Sequence, residues 1–148
     1  MDPGAMDQAS GAAPGAGDRS IRQHTLKSPV SVTGAGLMLG QRATVIIEPA
    51  PPGHGIIIER IDLDPPVRIP ALVEHAVDRA RRTTLQNGSG VVETVEHCLS
   101  ALSGLGIDNA LLRIDGPELP LGDGSASPYT QPIMEVGLVE QDADRRLF

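Results

Sequence analysis

The sequence predicts a two-layer α+β sandwich, a mainly antiparallel sheet with helices packed on one face. Three observations point to it. Short runs rich in Val, Ile and Thr, each bounded by Gly or Pro, fill the first half of the chain after residue 20. Helical periodicity occurs in only two stretches, both in the second half, with a strand-like run between them. Aromatic residues are almost absent, Tyr129 and Phe148 alone, so the core has to be built from Val, Ile, Leu and Ala, which suit a sheet covered by helices.

Residues 1 to about 20 are Gly, Ala, Pro, Ser and Asp without apolar periodicity, a composition that cannot bury enough surface to offset its ordering entropy. They are expected to form a disordered leader, and 21–148 a single domain. "HTLKSPVSVTG", "RATVIIEPA" and "GIIIERIDL" read as neighbouring strands. "GAGLMLG", Gly34 to Gly40, lies between the first two; its glycine spacing is not the dinucleotide fingerprint, and it reads as a tight turn. "PPVRIPALVEHAV" adds a short strand, and "RTTLQNGSGVVE" a hairpin with Asn87-Gly88 in its turn. A helix follows, with Thr94 as its expected N-cap, Val95, Cys98, Leu99, Leu102 and Leu105 as the stripe facing the sheet, and Gly104 and Gly106 as its end. "NALLRIDG" is the next strand. "SASPYTQPIMEVGL" is a second helix, with Ser127 as cap, Pro128 at the first helical position, Pro132 bending its start and Gly137 near its stop.

The bulk properties narrow the function classes. A chain of 148 residues holds one domain with a sizeable core and leaves no room for a second. A net charge of −7 and a pI near 4.9 argue against nucleic-acid binding, which requires net positive charge facing phosphates. The basic run Arg79 to Arg82 reads as a solvated loop. One cysteine, Cys98, excludes an intramolecular disulfide framework and reads as a packing residue. With no apolar run of about 18 residues and no signal-peptide pattern, the expectation is a soluble cytoplasmic protein without a transmembrane segment.

The first turn of the first helix carries an acid beside an imidazole, Glu96 and His97. Adjacent helical residues point about 100° apart, so the two side chains can flank one pocket without lying on one line. The positive end of the helix dipole favours an ionised carboxylate and a neutral ring, which suits a base and a metal ligand. The dipeptide alone favours the plainer reading, a capping carboxylate beside a half-exposed surface histidine, because it lacks the second histidine of H-E-x-x-H. Ser100, Ala101, Ser103 and Gly104 are small residues on the other side of the helix, a surface that invites cover.

"TVEHCLSALSGLGIDNALL" and "GPELPLGDGSASPY", preceded by "QHTLKSPVSVTGAGL" and "RIDLDPPVRIPA", resemble in order and spacing the first domain of the UDP-3-O-acyl-N-acetylglucosamine deacetylases, the LpxC family. The likeness runs from about Ile21 to the C-terminus. It implies a fold like the second domain of ribosomal protein S5, repeated twice in the family, with the active site in the seam between the helical layers. It further implies zinc-dependent removal of the N-acetyl group from a UDP-sugar lipid in lipid A synthesis. On this resemblance His97 matches a zinc ligand and Glu96 the general base. Asp123 matches a residue near the reaction, and Thr83 and Thr84 match a segment bordering the substrate cleft.

The chain departs from the family in three places. The other zinc ligands of the family, a His and an Asp four residues apart, and its general-acid His come from the second domain; none of His24, His54 and His75 has an Asp four residues downstream. Catalytic zinc needs three protein ligands, so Zn2+ is expected only if further ligands arrive from another chain. Met38 and Leu39 replace the histidine and small polar residue of the family's Gly-Leu-His-Ser-Gly loop, and methionine donates no proton. Arg81 and Arg82 place charge beside the cleft segment. Two functions follow: half of a deacetylase, inactive alone and completed by a second-domain chain, or a non-catalytic binding or regulatory module. Either way a partner, or self-association through an apolar helical layer, is expected.

Overall fold

A computed structural model describes residues 21–146. The expected leader, 1–20, lies outside the described residues. In chain order the elements are β1 (Arg22–Leu26), β2 (Val30–Ala35), β3 (Arg42–Pro49), β4 (Ile56–Arg60), β5 (Val67–Pro70), a 3₁₀ turn (Val73–His75), β6 (Ala76–Val77), β7 (Thr84–Asn87), β8 (Gly90–Val92), α1 (Glu96–Gly104), β9 (Ala110–Ile114), α2 (Ser127–Val136) and β10 (Leu138–Asp144). This is the α+β architecture expected.

The main sheet has the order β2-β3-β9-β4-β5, antiparallel except where β4 runs parallel to β9. Its register explains the core. Val30, Ile47, Leu112, Ile58 and Ile69 are successive cross-strand partners, one from each of the five strands, and all are buried. A slip of one residue in any strand would turn its apolar set to the opposite face, so this row fixes the pairing. Val95, Cys98, Ala101 and Leu102 of the first helix and Tyr129 and Ile133 of the second belong to the same core. Each large side chain so buried stabilises the fold by roughly 1.5–3 kcal/mol before entropy is counted. The opposite face carries ion pairs: Glu59 accepts from Arg68 at 2.6 Å and from Arg113 at 3.4 Å, and Arg113 reaches Glu48 at 3.5 Å.

Several local expectations shift. "HTLKSPVSVTG" is two strands, because the chain turns at Lys27–Pro29 and sends β1 to a separate ribbon with β10. That last strand, "LVEQDAD", has little β-branched content; it is held by Arg22 with Asp142 and Asp144, and by Gln141, which donates to the Ala50 carbonyl at 2.8 Å. The hairpin forms, but Asn87 pairs with Gly90, so its turn residues are Gly88 and Ser89. Thr94 does not cap α1: Val95 occupies the N-cap position without a side-chain cap, and Thr94 takes a left-handed backbone with φ 57. Ser127 is likewise the first helical residue, preceded by Ala126, and its N–H donates to Ser125 Oγ at 3.1 Å. Gly137, with φ 86, ends α2 as expected.

Among the described residues the two helices expose little large apolar side chain. Ala101 is buried with the core, whereas Ser100, Ser103 and Gly104 are exposed, and Met134 is the exposed large hydrophobic residue of α1 and α2. The longer exposed apolar run is Leu37, Met38 and Leu39, in the loop after β2.

Candidate active site

Glu96 and His97 open α1, and both side chains reach the surface, about a third and a quarter exposed. His97 Nε2 lies 4.0 Å from Glu96 Oε1. Glu96 Oε2 accepts one hydrogen bond, from the Thr83 N–H at 3.2 Å. The Val95 N–H in turn donates to the Thr83 carbonyl at 3.2 Å, so the segment before β7 is stitched to the helix start from both sides.

Two buried carboxylates brace this turn. Glu93 accepts from Arg82 Nε and, at 2.6 Å, from the Thr84 hydroxyl, which anchors the Arg82–Thr84 segment. Glu118 is buried, and among the described residues no cation pairs with it. Its Oε1 accepts from the Met38 N–H and the Thr94 hydroxyl, each at 2.8 Å, and its Oε2 from the Leu39 N–H at 2.8 Å. Burial pushes the Glu118 carboxyl up, but the N–H groups of Met38 and Leu39, the Thr94 hydroxyl and the Leu37 N–H together outweigh it and hold the group below its ordinary value. The two carboxylate-bearing segments touch through the backbone as well, Glu93 N–H to Pro117 carbonyl at 2.8 Å and Leu119 N–H to Glu93 carbonyl at 3.2 Å. These contacts hold Thr94 in a conformation that costs a β-branched residue on the order of 1–3 kcal/mol.

The remaining expected residues fall in different places. Thr83 is exposed beside Glu96, but Thr84 is buried with its hydroxyl on Glu93, so its side chain faces inward rather than onto a cleft. Asp123 is exposed in the loop before α2 and accepts from the Ser125 hydroxyl at 2.6 Å and N–H at 2.9 Å. Those bonds, the hydroxyl first, hold its carboxyl below the usual range. They make Asp123 a turn former, and neither bond leads to Glu96 or His97. Glu93 and Glu118 are not singled out by the sequence, and Thr94 is read from it only as a helix cap; an acid set between Pro117 and Leu119 is the available signal for Glu118.

The Asp108-Asn109 pair, prominent in sequence, sits at the far end of α1 and is structural. Asn109 is buried; its amide accepts from the Gly55 N–H at 2.8 Å and donates to Gln23 at 2.9 Å and Gln141 at 2.7 Å. Asp108 accepts from the His24 N–H at 2.8 Å and pairs with Arg145. A cavity of about 320 Å³ opens beside them, lined by Gln23, Gly53, Gly55, Asp108, Asn109 and Arg145 among others, and its polar walls are already engaged with one another.

The profile of the UDP-3-O-acyl N-acetylglycosamine deacetylases, LpxC, matches residues 23–148. The chain belongs to the LpxC family. Proteins named UDP-3-O-acyl-N-acetylglucosamine deacetylase are similar to it: that of Myxococcus xanthus (strain DK1622) is 48% identical over 129 residues, 87% of this chain and 41% of the relative. The one from Thioalkalivibrio sulfidiphilus (strain HL-EbGR7) is 45% identical over 128 residues, 86% of this chain and 42% of the relative. In Shewanella piezotolerans (strain WP3 / JCM 13877) the relative is 46% identical over 127 residues, covering 85% and 42%. The chain therefore spans about two-fifths of the length of the curated relatives it matches.

For an LpxC family member the expected metal is zinc. Among the described residues no group of three or more His, Cys, Asp or Glu could hold a metal ion. The described residues do not by themselves fit a three-ligand zinc site. No helix among the described residues is long and apolar enough to cross a membrane.

Proposed function

We propose that this chain supplies two groups of an LpxC-type deacetylase acting on a UDP-3-O-acyl-N-acetylglucosamine in lipid A synthesis, Glu96 as general base and His97 as one zinc ligand. Zinc, completed by ligands from outside these 148 residues, would supply Lewis-acid polarisation of the acetamide carbonyl. The observation that carries the reading is the placing of Glu96 and His97 side by side at the surface of a braced helix start, in a chain whose family is established. Glu96 is oriented by its bond from the Thr83 N–H, with Oε1 left to take a proton from the attacking water. His97 stands in the first turn of α1 with its ring partly exposed, where an imidazole nitrogen can meet a metal. Asp123 is given a supporting role through the turn it forms, Thr83 borders the substrate, and the site works in the cytoplasm.

The test combines the chain with a polypeptide supplying the rest of the length of its relatives, and measures zinc content and deacetylation for each part and for the assembly. Zinc binding and activity are expected only in the assembly. His97→Ala should lose zinc, while Glu96→Ala should keep zinc and lose at least about 100-fold in rate. An active assembly in which both variants match the parent overturns the assignment. An assembly that forms but binds no zinc favours the non-catalytic binding module.

A further inference from the structure

We propose that Glu118 is the positioning residue of the candidate site, its buried carboxylate fixing the spacing between the Leu37–Leu39 loop and the first turn of α1. The inference rests on the reading of Glu96 and His97 as the functional pair. Three observations lead to it. First, the carboxylate spans two separate segments: Oε1 is shared between the Met38 N–H of the loop and the hydroxyl of Thr94, two residues before Glu96. Second, among the described residues no cation pairs with it and four hydrogen-bonding contacts hold its charge, three of them direct bonds from Met38, Leu39 and Thr94, so removing it leaves the N–H groups of Met38 and Leu39 without that acceptor. Third, the loop is shaped for it: a Cβ on Gly36 would lie 2.1 Å from Glu118 Oε2 and 2.3 Å from its carboxyl carbon, so only glycine lets the backbone come this close.

A carboxylate that served packing alone would need neither a link to Thr94 nor the left-handed backbone that Thr94 adopts there. The arrangement acts on both parts at once. It turns the N–H groups of the loop inward and leaves Leu37, Met38 and Leu39 exposed, and it holds the residue from which α1 departs. Gln in place of Glu118 would present an NH₂ to a loop that offers only donors, so one side of the clamp would be lost while the bulk stayed similar.

The experiment uses the 148-residue chain without metal or substrate, labelled for NMR, and reads amide exchange at Leu37, Met38 and Leu39 together with the ring signals of His97. Glu118→Gln and Gly36→Ala should speed exchange at those amides at least roughly tenfold and displace the His97 ring signals. Thr94→Val should displace the His97 signals while leaving the loop amides near their parental rates, and Thr94→Ser, which restores the hydroxyl, should return the His97 signals to the parental positions. If the loop opens in Glu118→Gln and Gly36→Ala with His97 unmoved, Glu118 is only a loop anchor and the proposal falls. Should Glu118→Gln fail to fold, Gly36→Ala and the Thr94 pair decide it. Because neither zinc nor turnover enters the readout, failure of the deacetylase assignment and failure of this one are told apart.

Discussion

The two ends of α1 are built from similarly polar sequence and are used in opposite ways. At the C-terminal end Gly106, with φ 73, turns the chain into Asp108 and Asn109, and these bind β1, the Gly53–Gly55 loop and β10 into one network. Each hydrogen-bonding group of the Asn109 side chain is met inside the protein. At the N-terminal end the bracing is equally dense, but it is done by residues around the pair, Glu93, Thr94 and Glu118, and Glu96 and His97 are left at the surface with capacity to spare. A polar motif that consumes its own hydrogen bonds specifies a fold. One whose neighbours do the holding is available for chemistry.

Substitutions sharpen the contrast. Asn109→Ala should cost the most, about 2–4 kcal/mol in denaturant unfolding, because it strands Gln23, Gln141 and the Gly55 N–H in a buried setting. Tyr129→Phe tests the support behind the N-terminal end: the buried phenol donates to the Pro120 carbonyl, two residues past Glu118, and its loss should cost about 1–2 kcal/mol. Acid should act more locally. The Glu118 carboxyl is held below its ordinary value of 4.5, so its contribution is complete above that pH and is lost as pH falls through the lower folded-state value. Amide protection at Met38 and Leu39 should therefore fade in acid before global unfolding, and a loop that opens instead near neutrality contradicts the clamp. His97→Ala should matter least to folding, within about 0.5 kcal/mol of the parent, since among the described residues nothing braces the partly exposed ring at hydrogen-bonding distance. A loss of 2 kcal/mol or more there would erase the distinction between the ends.

What could be read in advance follows from the range of the interactions. The alternation of "RATVIIEPA" and the run "GIIIERI" produce β3 and β4, the stripe Cys98, Leu102 and Val95 produces α1, and the glycines Gly106 and Gly137 stop the helices, because each of these depends on neighbours a few residues away. The local rule that makes Thr94 a cap fails for the opposite reason. Thr94 spends its hydroxyl on Glu118, 24 residues on, and Glu118 spends its oxygens on Met38 and Leu39, about 80 residues back, and such partners leave no periodic trace. β10 was hidden because its exposed strand is polar and is held by Arg22 of β1 and by the bond that its own Gln141 donates to the Ala50 carbonyl. The Glu96-His97 pair was visible as residues, whereas the structure supplied the scaffold that orients it.

Cys98 lies fully buried in the core with Tyr129, and burial pushes its thiol well above the ordinary cysteine range. A reagent such as a maleimide can reach that sulfur only when the two helices part from the sheet. The lone cysteine is therefore a built-in clock: its alkylation half-life times how often this layer lifts, and any polypeptide that clamps the helices down should slow it.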